Sequence, residues 1–109
     1  MIRDEESVLR RLTLELGLTR GEAEAYLRAL REGSIAKDSP DGDRLFARGM
    51  VISSSGGTVY LPVHPRLAIS NLFRSLPDRS TPAMREKRRM ADKLTLELIP
   101  AYEAKRSRE

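Results

Sequence analysis

Residues 18–33, Leu-Thr-Arg-Gly-Glu-Ala-Glu-Ala-Tyr-Leu-Arg-Ala-Leu-Arg-Glu-Gly, contain both ends of one helix. Thr19 and Glu22 have the spacing of a capping box, in which each side chain accepts a hydrogen bond from the backbone amide of the other residue. Gly33 is suited to end the helix, because glycine readily adopts the left-handed conformation of a C-terminal cap. The pattern predicts an amphipathic helix whose buried stripe consists of Ala23, Tyr26, Leu27 and Leu30.

Shorter helical segments flank this helix. Upstream, apolar spacing predicts a helical run whose inward face is formed by Val8, Leu9, Leu12 and Leu16. Downstream, residues 34–42 are turn formers that include Pro40, and they predict a loop. A short helix is then expected from Asp43, its N-cap, to about Arg48, with Leu45 and Phe46 pointing inward.

The rest of the chain predicts a hairpin and two helices. Residues 50–54 and 58–62 are β-prone and are joined through Ser55-Gly56-Gly57, which is typical of an antiparallel hairpin. Pro65 suits the first position of a helix that reaches about Leu76, and the pair Thr81-Pro82 suits the start of a helix that reaches about Lys105. We therefore expect one domain over residues 1–76 and a C-terminal helix within residues 77–109.

The predicted C-terminal helix has a basic side and an apolar side. The cations on the basic side are Arg85, Arg88, Arg89 and Lys93. The apolar side has the alternating three-and-four spacing of a coiled-coil seam, although packing on the first helix of the same chain would use the same pattern. Leu96 and Ile99 make the helix apolar on a second side as well, which favours a homodimer. Its candidate contacts are Met84, Ala91, Leu94, Leu98, Ala101 and Tyr102. Pro100 should kink or loosen the last turn.

Charge is distributed unevenly along the chain. Residues 1–78 carry 11 Lys and Arg against 11 Asp and Glu, whereas residues 79–109 carry 9 against 5, a difference that accounts for the whole net charge of +4. A basic segment attached to a neutral body can neutralise nucleic-acid phosphates, although a net charge of this size is also ordinary for solubility.

Composition excludes several classes of protein. With 109 residues and 33% of them charged, the chain is long enough for one small domain. It has no run of about 18 apolar residues and begins with a polar segment, so we expect a cytoplasmic protein without a membrane partner. Cysteine is absent and His64 is the one histidine, so neither a metal site nor a cofactor site is expected. No nucleophile and base can be paired by motif spacing, and an enzyme is therefore not expected.

Four segments resemble a known family. Residues 14–27 (LELGLTRGEAEAYL), 45–51 (LFARGMV), 60–65 (YLPVHP) and 98–103 (LIPAYE) follow one another in the chain. They resemble, in the same order, the opening of the DNA-binding domain, the end of the recognition helix, the exit from the wing and the end of the dimerising helix in archaeal TrmB-like winged-helix transcription regulators.

The resemblance implies an α+β, mainly α fold: a winged-helix-like domain with a small β-hairpin and a long C-terminal dimerisation helix. It also implies a transcription regulator that binds double-stranded DNA as a homodimer. The alternative is a winged-helix-derived module that dimerises or binds another transcription protein without sequence-specific DNA binding.

Two features depart from the pattern of the family. Only 15 residues separate Gly33 from Gly49, whereas a second helix, a turn and a recognition helix need roughly 25. The winged-helix-like domain is therefore shortened between residues 34 and 48. The predicted hairpin contains neither Lys nor Arg. DNA contacts would then come from Lys37, Arg44 and Arg48 or from the basic side of the last helix.

Overall fold

The computed structural model describes residues 5–74 and 82–106. Its elements are, in chain order, α1 (Glu5–Arg10), which continues into a π-helical turn (Arg11–Glu15), α2 (Arg20–Glu32), β1 (Ile35–Ala36), α3 (Pro40–Arg48), β2 (Val51–Ser53), β3 (Val59–Pro62), α4 (Pro65–Arg74) and α5 (Pro82–Arg106). The predicted fold class is confirmed, because the chain is mainly helical with a small antiparallel sheet and a long C-terminal helix in a winged-helix-like order. The predicted domain boundary at residue 76 and the Thr81 cap lie outside the described residues.

Helix α2 has both predicted ends and lies against most of the other elements. The Thr19 hydroxyl accepts from the Glu22 amide at 3.1 Å, and a Glu22 carboxylate oxygen accepts from the Thr19 amide at 2.8 Å. Gly33 ends the helix with a left-handed φ of 91°. Tyr26 is fully buried and donates its hydroxyl hydrogen to the Val63 carbonyl at 3.0 Å, and this burial raises its pKa far above the usual value. The capping box and the buried stripe are thus confirmed.

Helix α3 begins earlier than the sequence predicts. Ser39, not Asp43, is the N-cap, and its hydroxyl accepts from the Asp41 amide at 3.2 Å. Pro40 occupies the first turn, where its missing N–H has no intrahelical role, so it starts the helix rather than blocking it. Leu45 is buried as predicted, but Phe46 is 50% exposed, so its predicted inward direction is wrong.

The sheet has three strands, of which the sequence predicted two. Strand β3 lies in the centre of the order β1-β3-β2, and both of its neighbours pair with it antiparallel. Ile35, in the segment predicted as a loop, pairs with Tyr60. A Cβ at Gly42 would lie only 3.0 Å from the ring of Tyr60, so glycine at this position allows α3 to approach the sheet closely.

The apolar stripe of α5 belongs to the core of the single chain. Ala91, Leu94 and Leu98 are fully buried, and Ala101 is nearly so, because α5 packs on α2 and α4. The prediction that these four residues form a dimer seam is therefore wrong. They have almost no surface left for a partner, since the 3-4 spacing serves intrachain packing here.

Tyr102 is half-buried against the same core, and the side chain of Met84 lies outside what the structure describes. The helix continues through Pro100 to Arg106.

Two neighbouring leucines of α5 provide a matched test of this packing. We expect Leu94→Ala to destabilise the protein by about 2 to 5 kcal/mol, because it leaves a cavity in the core. Leu96→Ala should change the free energy of unfolding by no more than about 0.5 kcal/mol, because Leu96 is 63% exposed. Urea denaturation followed by circular dichroism measures both. A loss at Leu94 that disappears when the protein is diluted would instead indicate a seam between chains.

Candidate nucleic-acid interface

The exposed face of α3 carries charges of both signs. Asp43 and Arg44 lie on this face, whereas Gly42 and Leu45 lie on the buried one. A carboxylate oxygen of Asp43 accepts from the Tyr60 hydroxyl at 2.6 Å, and this hydrogen bond raises the pKa of Tyr60. The guanidinium of Arg44 lies 3.3 Å from the Asp41 carboxylate. Because Asp41 and Asp43 share the exposed face of α3 with Arg44, this face does not present the positive surface that phosphate contacts require.

Arg48, the last residue of α3, is bound to the capping box of α2. Its Nε and one terminal nitrogen donate to the two carboxylate oxygens of Glu22 at 3.0 and 3.3 Å. The Glu22 side chain is 1% exposed and that of Arg48 is 32% exposed. Arg48 therefore stabilises the fold, because the buried carboxylate engages its guanidinium in a forked pair. Its role as a DNA contact stays a prediction.

The same contacts lower the pKa of Glu22. Burial acts to raise the pKa of this carboxyl, but the hydrogen bonds from Arg48 and from the Thr19 amide outweigh burial. The pKa therefore lies below its ordinary value, and the pair stabilises the folded protein at neutral pH.

Lys37 lies beside the wing, as the β2–β3 hairpin is called in winged-helix proteins. Its ammonium donates to the Ser53 hydroxyl and lies 5.0 Å from the centre of the Tyr60 ring. Phe46 stacks on the same ring, with centroids 5.6 Å apart and an angle of 25° between the planes. Residues 51–62 contain neither Lys nor Arg, so the wing itself brings no cation to this surface.

The basic face of α5, defined as Arg85, Arg88, Arg89 and Lys93, is exposed as predicted. Two of its members take part in exposed ion pairs: Arg89 with Glu86 at 2.8 Å, and Arg88 with Asp92 at 3.8 Å. Exposed pairs of this kind are worth little and are easily exchanged for a phosphate. The guanidinium of Arg88 also lies 5.1 Å from the centre of the Phe73 ring on α4.

The structure does not join the two predicted groups of cations. Lys37, Arg44 and Arg48 contact residues of α2, α3, β2 and β3, whereas Arg88 and Arg89 contact residues of α4 and α5. Sequence reasoning missed Arg66, an exposed α4 residue that, together with Arg88, lines a groove between α4 and α5. The signal for it was the spacing of Arg66, Ser70 and Arg74, which puts all three along one side of the predicted helix.

Within residues 5–74 and 82–106, no three potential metal ligands lie close together. In the same part of the chain, no helix combines the length and the apolar character needed to cross a membrane. A comparison of the chain with protein-family models, with curated proteins and with solved structures found no match.

Replacing each α3 arginine in turn separates a structural role from a surface role. We expect Arg48→Met to destabilise the protein by about 2 to 3 kcal/mol at pH 7, because it leaves a buried carboxylate without its charged donors. Arg44→Met should cost less than about 1 kcal/mol, since its pair with Asp41 is exposed. Urea denaturation at pH 7 measures both losses.

The deficit of Arg48→Met should also depend on pH. The lowered pKa of Glu22 means that the pair contributes fully above the unfolded-state value of about 4.3, and that this contribution is lost as pH falls through the folded-state pKa. The stability gap between parent and variant should therefore narrow in acid. Equal losses for the two arginine variants, or a gap independent of pH, would contradict the role assigned to Arg48.

Proposed function

We propose that this chain is a DNA-binding transcription regulator of winged-helix type, related to the TrmB-like family, that holds double-stranded DNA by its phosphate backbone. The observation that carries the proposal is the basic face of α5, whose four cations lie within residues 82–93, a segment with five cations and two carboxylates in all. The chain is then a cytoplasmic binding protein that uses no cofactor and is not an enzyme.

We propose contact with the DNA backbone rather than with the bases because the polar side chains of α3 are engaged in contacts within the protein. A recognition helix reads bases with side chains that are free to reach the major groove. Arg48 is held by Glu22, Asp43 is held by Tyr60, and Arg44 has the Asp41 carboxylate beside it. Three residues separate β1 from α3, which leaves no room for the additional helix of a complete helix-turn-helix.

Charge reversal on α5 tests the proposed contact. We expect Arg85→Glu, Arg88→Glu and Arg89→Glu together to weaken binding to all duplex sequences alike. Each lost phosphate contact should reduce the slope of log affinity against log salt by about 0.9. Fluorescence anisotropy of a labelled duplex at several salt concentrations gives both quantities.

The matched control is Arg44→Glu, which reverses a charge on α3. It should weaken binding much less than the α5 variant does, and it should not change which duplex is preferred. Undiminished binding by the triple variant, with its fold intact by circular dichroism, would refute the assignment of the contact to α5.

Homodimer formation is part of the proposal, with contacts different from those that the sequence favoured. Four members of the predicted seam are in the core, so an interface on α5 has to use its second apolar side. Leu96 is 63% exposed there, and Ile99 is half-buried. A contact through Leu96 would bring the α5 helices of two copies together, and with them their basic faces.

Light scattering of the parent protein should therefore give twice the mass of one chain, and Leu96→Asp should give the mass of a single chain. A charge at the centre of an apolar contact disfavours association because it has to be desolvated. Leu14→Asp is the control, since Leu14 is 73% exposed but lies in the π-helical turn rather than on α5. A parent protein that is monomeric at all concentrations would exclude the dimer.

A second candidate function is that of a protein-interaction module whose partner is another transcription protein. The observation that favours it is a wing without Lys or Arg beside Phe46, an aromatic side chain that is 50% exposed and stacks on Tyr60. A folded protein that fails to bind any duplex, even at low salt, would favour this module over the DNA-binding regulator.

A further inference from the structure

A groove of about 470 Å³ lies between α4 and α5. Arg66 and Ser70 line it from α4, where their spacing of four residues puts them on one side of the helix. Arg88 and Asp92 line it from α5 with the same spacing. His64, directly before α4, also contributes to the lining, and this α4–α5 groove lies apart from α3 and the wing.

Side chains that can donate hydrogen bonds line the groove from both helices. Within the described residues, the Arg66 side chain makes no ion pair, and Arg88 contacts the Asp92 carboxylate at 3.8 Å and the Phe73 ring at 5.1 Å. The Ser70 hydroxyl adds a donor. The Nδ1 atom of His64 accepts from the Arg66 amide at 3.1 Å, and the ring packs edge-on against Tyr102 with centroids 5.0 Å apart, so two contacts position the imidazole beside the groove.

The groove also has an apolar part. Leu67 is 52% exposed at its edge, and the nearly buried Ile69 lies deeper. The Thr95 hydroxyl, also nearly buried, donates to the Ala91 carbonyl at 2.8 Å, so its hydrogen is already used within α5. A ligand that fills this space therefore needs an anionic head for the arginines and an apolar body for the leucine and isoleucine.

We propose that the α4–α5 groove binds a small phosphate monoester with an apolar or aromatic body. Two guanidinium groups and a hydroxyl offer more donors than the two oxygens of a carboxylate can use, whereas a phosphate monoester has three terminal oxygens. The volume lies within the range of small-molecule sites, roughly 300 to 1,000 Å³. The assignment does not rest on DNA binding, although the groove shares Arg88 with the basic face of α5.

Titration of the ¹⁵N-labelled full chain with phenyl phosphate, followed by NMR, tests the site. We expect amide shifts concentrated in residues 64–70 and 88–95. Arg66→Met and Arg88→Met should each weaken binding about tenfold, which corresponds to the loss of one charge-assisted hydrogen bond. Arg89→Met is the matched control: it removes an α5 cation that does not line the groove, so it should leave the affinity within about twofold.

Asp92→Asn gives a result that misfolding cannot imitate. The Asp92 carboxylate repels an anion and engages Arg88, so its neutralisation should strengthen phenyl phosphate binding several-fold. Unchanged or weaker binding by this variant, with a well-dispersed spectrum, would overturn the proposal.

Titrations with three further ligands test which chemical class of anion the groove prefers. Inorganic phosphate and benzoate should bind more weakly than phenyl phosphate, because one lacks the apolar body and the other lacks the third oxygen. Dimethyl phosphate, a diester like the DNA backbone, should bind more weakly as well. Equal binding of benzoate would make the site one for carboxylates, and equal binding of the diester would make it a DNA subsite; either result would overturn the monoester assignment. Shifts scattered over the whole chain would overturn the site itself.

Discussion

The buried carboxylate of Glu22 joins the start of α2 to the end of α3. It closes the capping box with Thr19 and accepts two hydrogen bonds from Arg48, so each of its oxygens has a donor. A carboxylate that is almost completely buried is tolerated in a small core only when it is satisfied in this way. The pair fixes the last turn of α3 against α2, and the left-handed Gly49 then leads directly into β2.

The same pair bears on where the proposed DNA contact can lie. It engages Arg48 at the end of α3, whereas DNA-binding winged-helix proteins place a recognition helix in the major groove. Asp43 and Lys37 make further contacts with Tyr60, so the surface around α3 and the wing is held together by internal contacts. Exposed cations with weak partners are instead found on α5, which is why the proposed DNA contact lies there.

Local signals in the sequence predicted the fold better than they predicted the site. The cap residues of α2 lie within a few positions of the groups they satisfy, so Thr19, Glu22 and Gly33 could be assigned from spacing alone. Pro40 could not, because a proline both interrupts a helix and begins one, and only the Ser39 hydroxyl on the Asp41 amide distinguishes these cases. The partner of Arg48 is 26 residues away in the chain, and no periodicity encodes such a contact.

The α5 helix shows that sequence spacing also fails to identify the partner against which an apolar face packs. Helical spacing predicts which residues share a face, and Ala91, Leu94 and Leu98 do share one, but it does not predict whether that face meets another copy or the same chain. Once the stripe is buried against α2 and α4, the edge of α5 that carries Arg88 is brought beside α4. Arg88 consequently belongs both to the basic face and to the α4–α5 groove. An anion bound in the groove would engage a guanidinium that the proposed DNA contact also uses, so ligand and DNA would compete for one side chain without any change in fold.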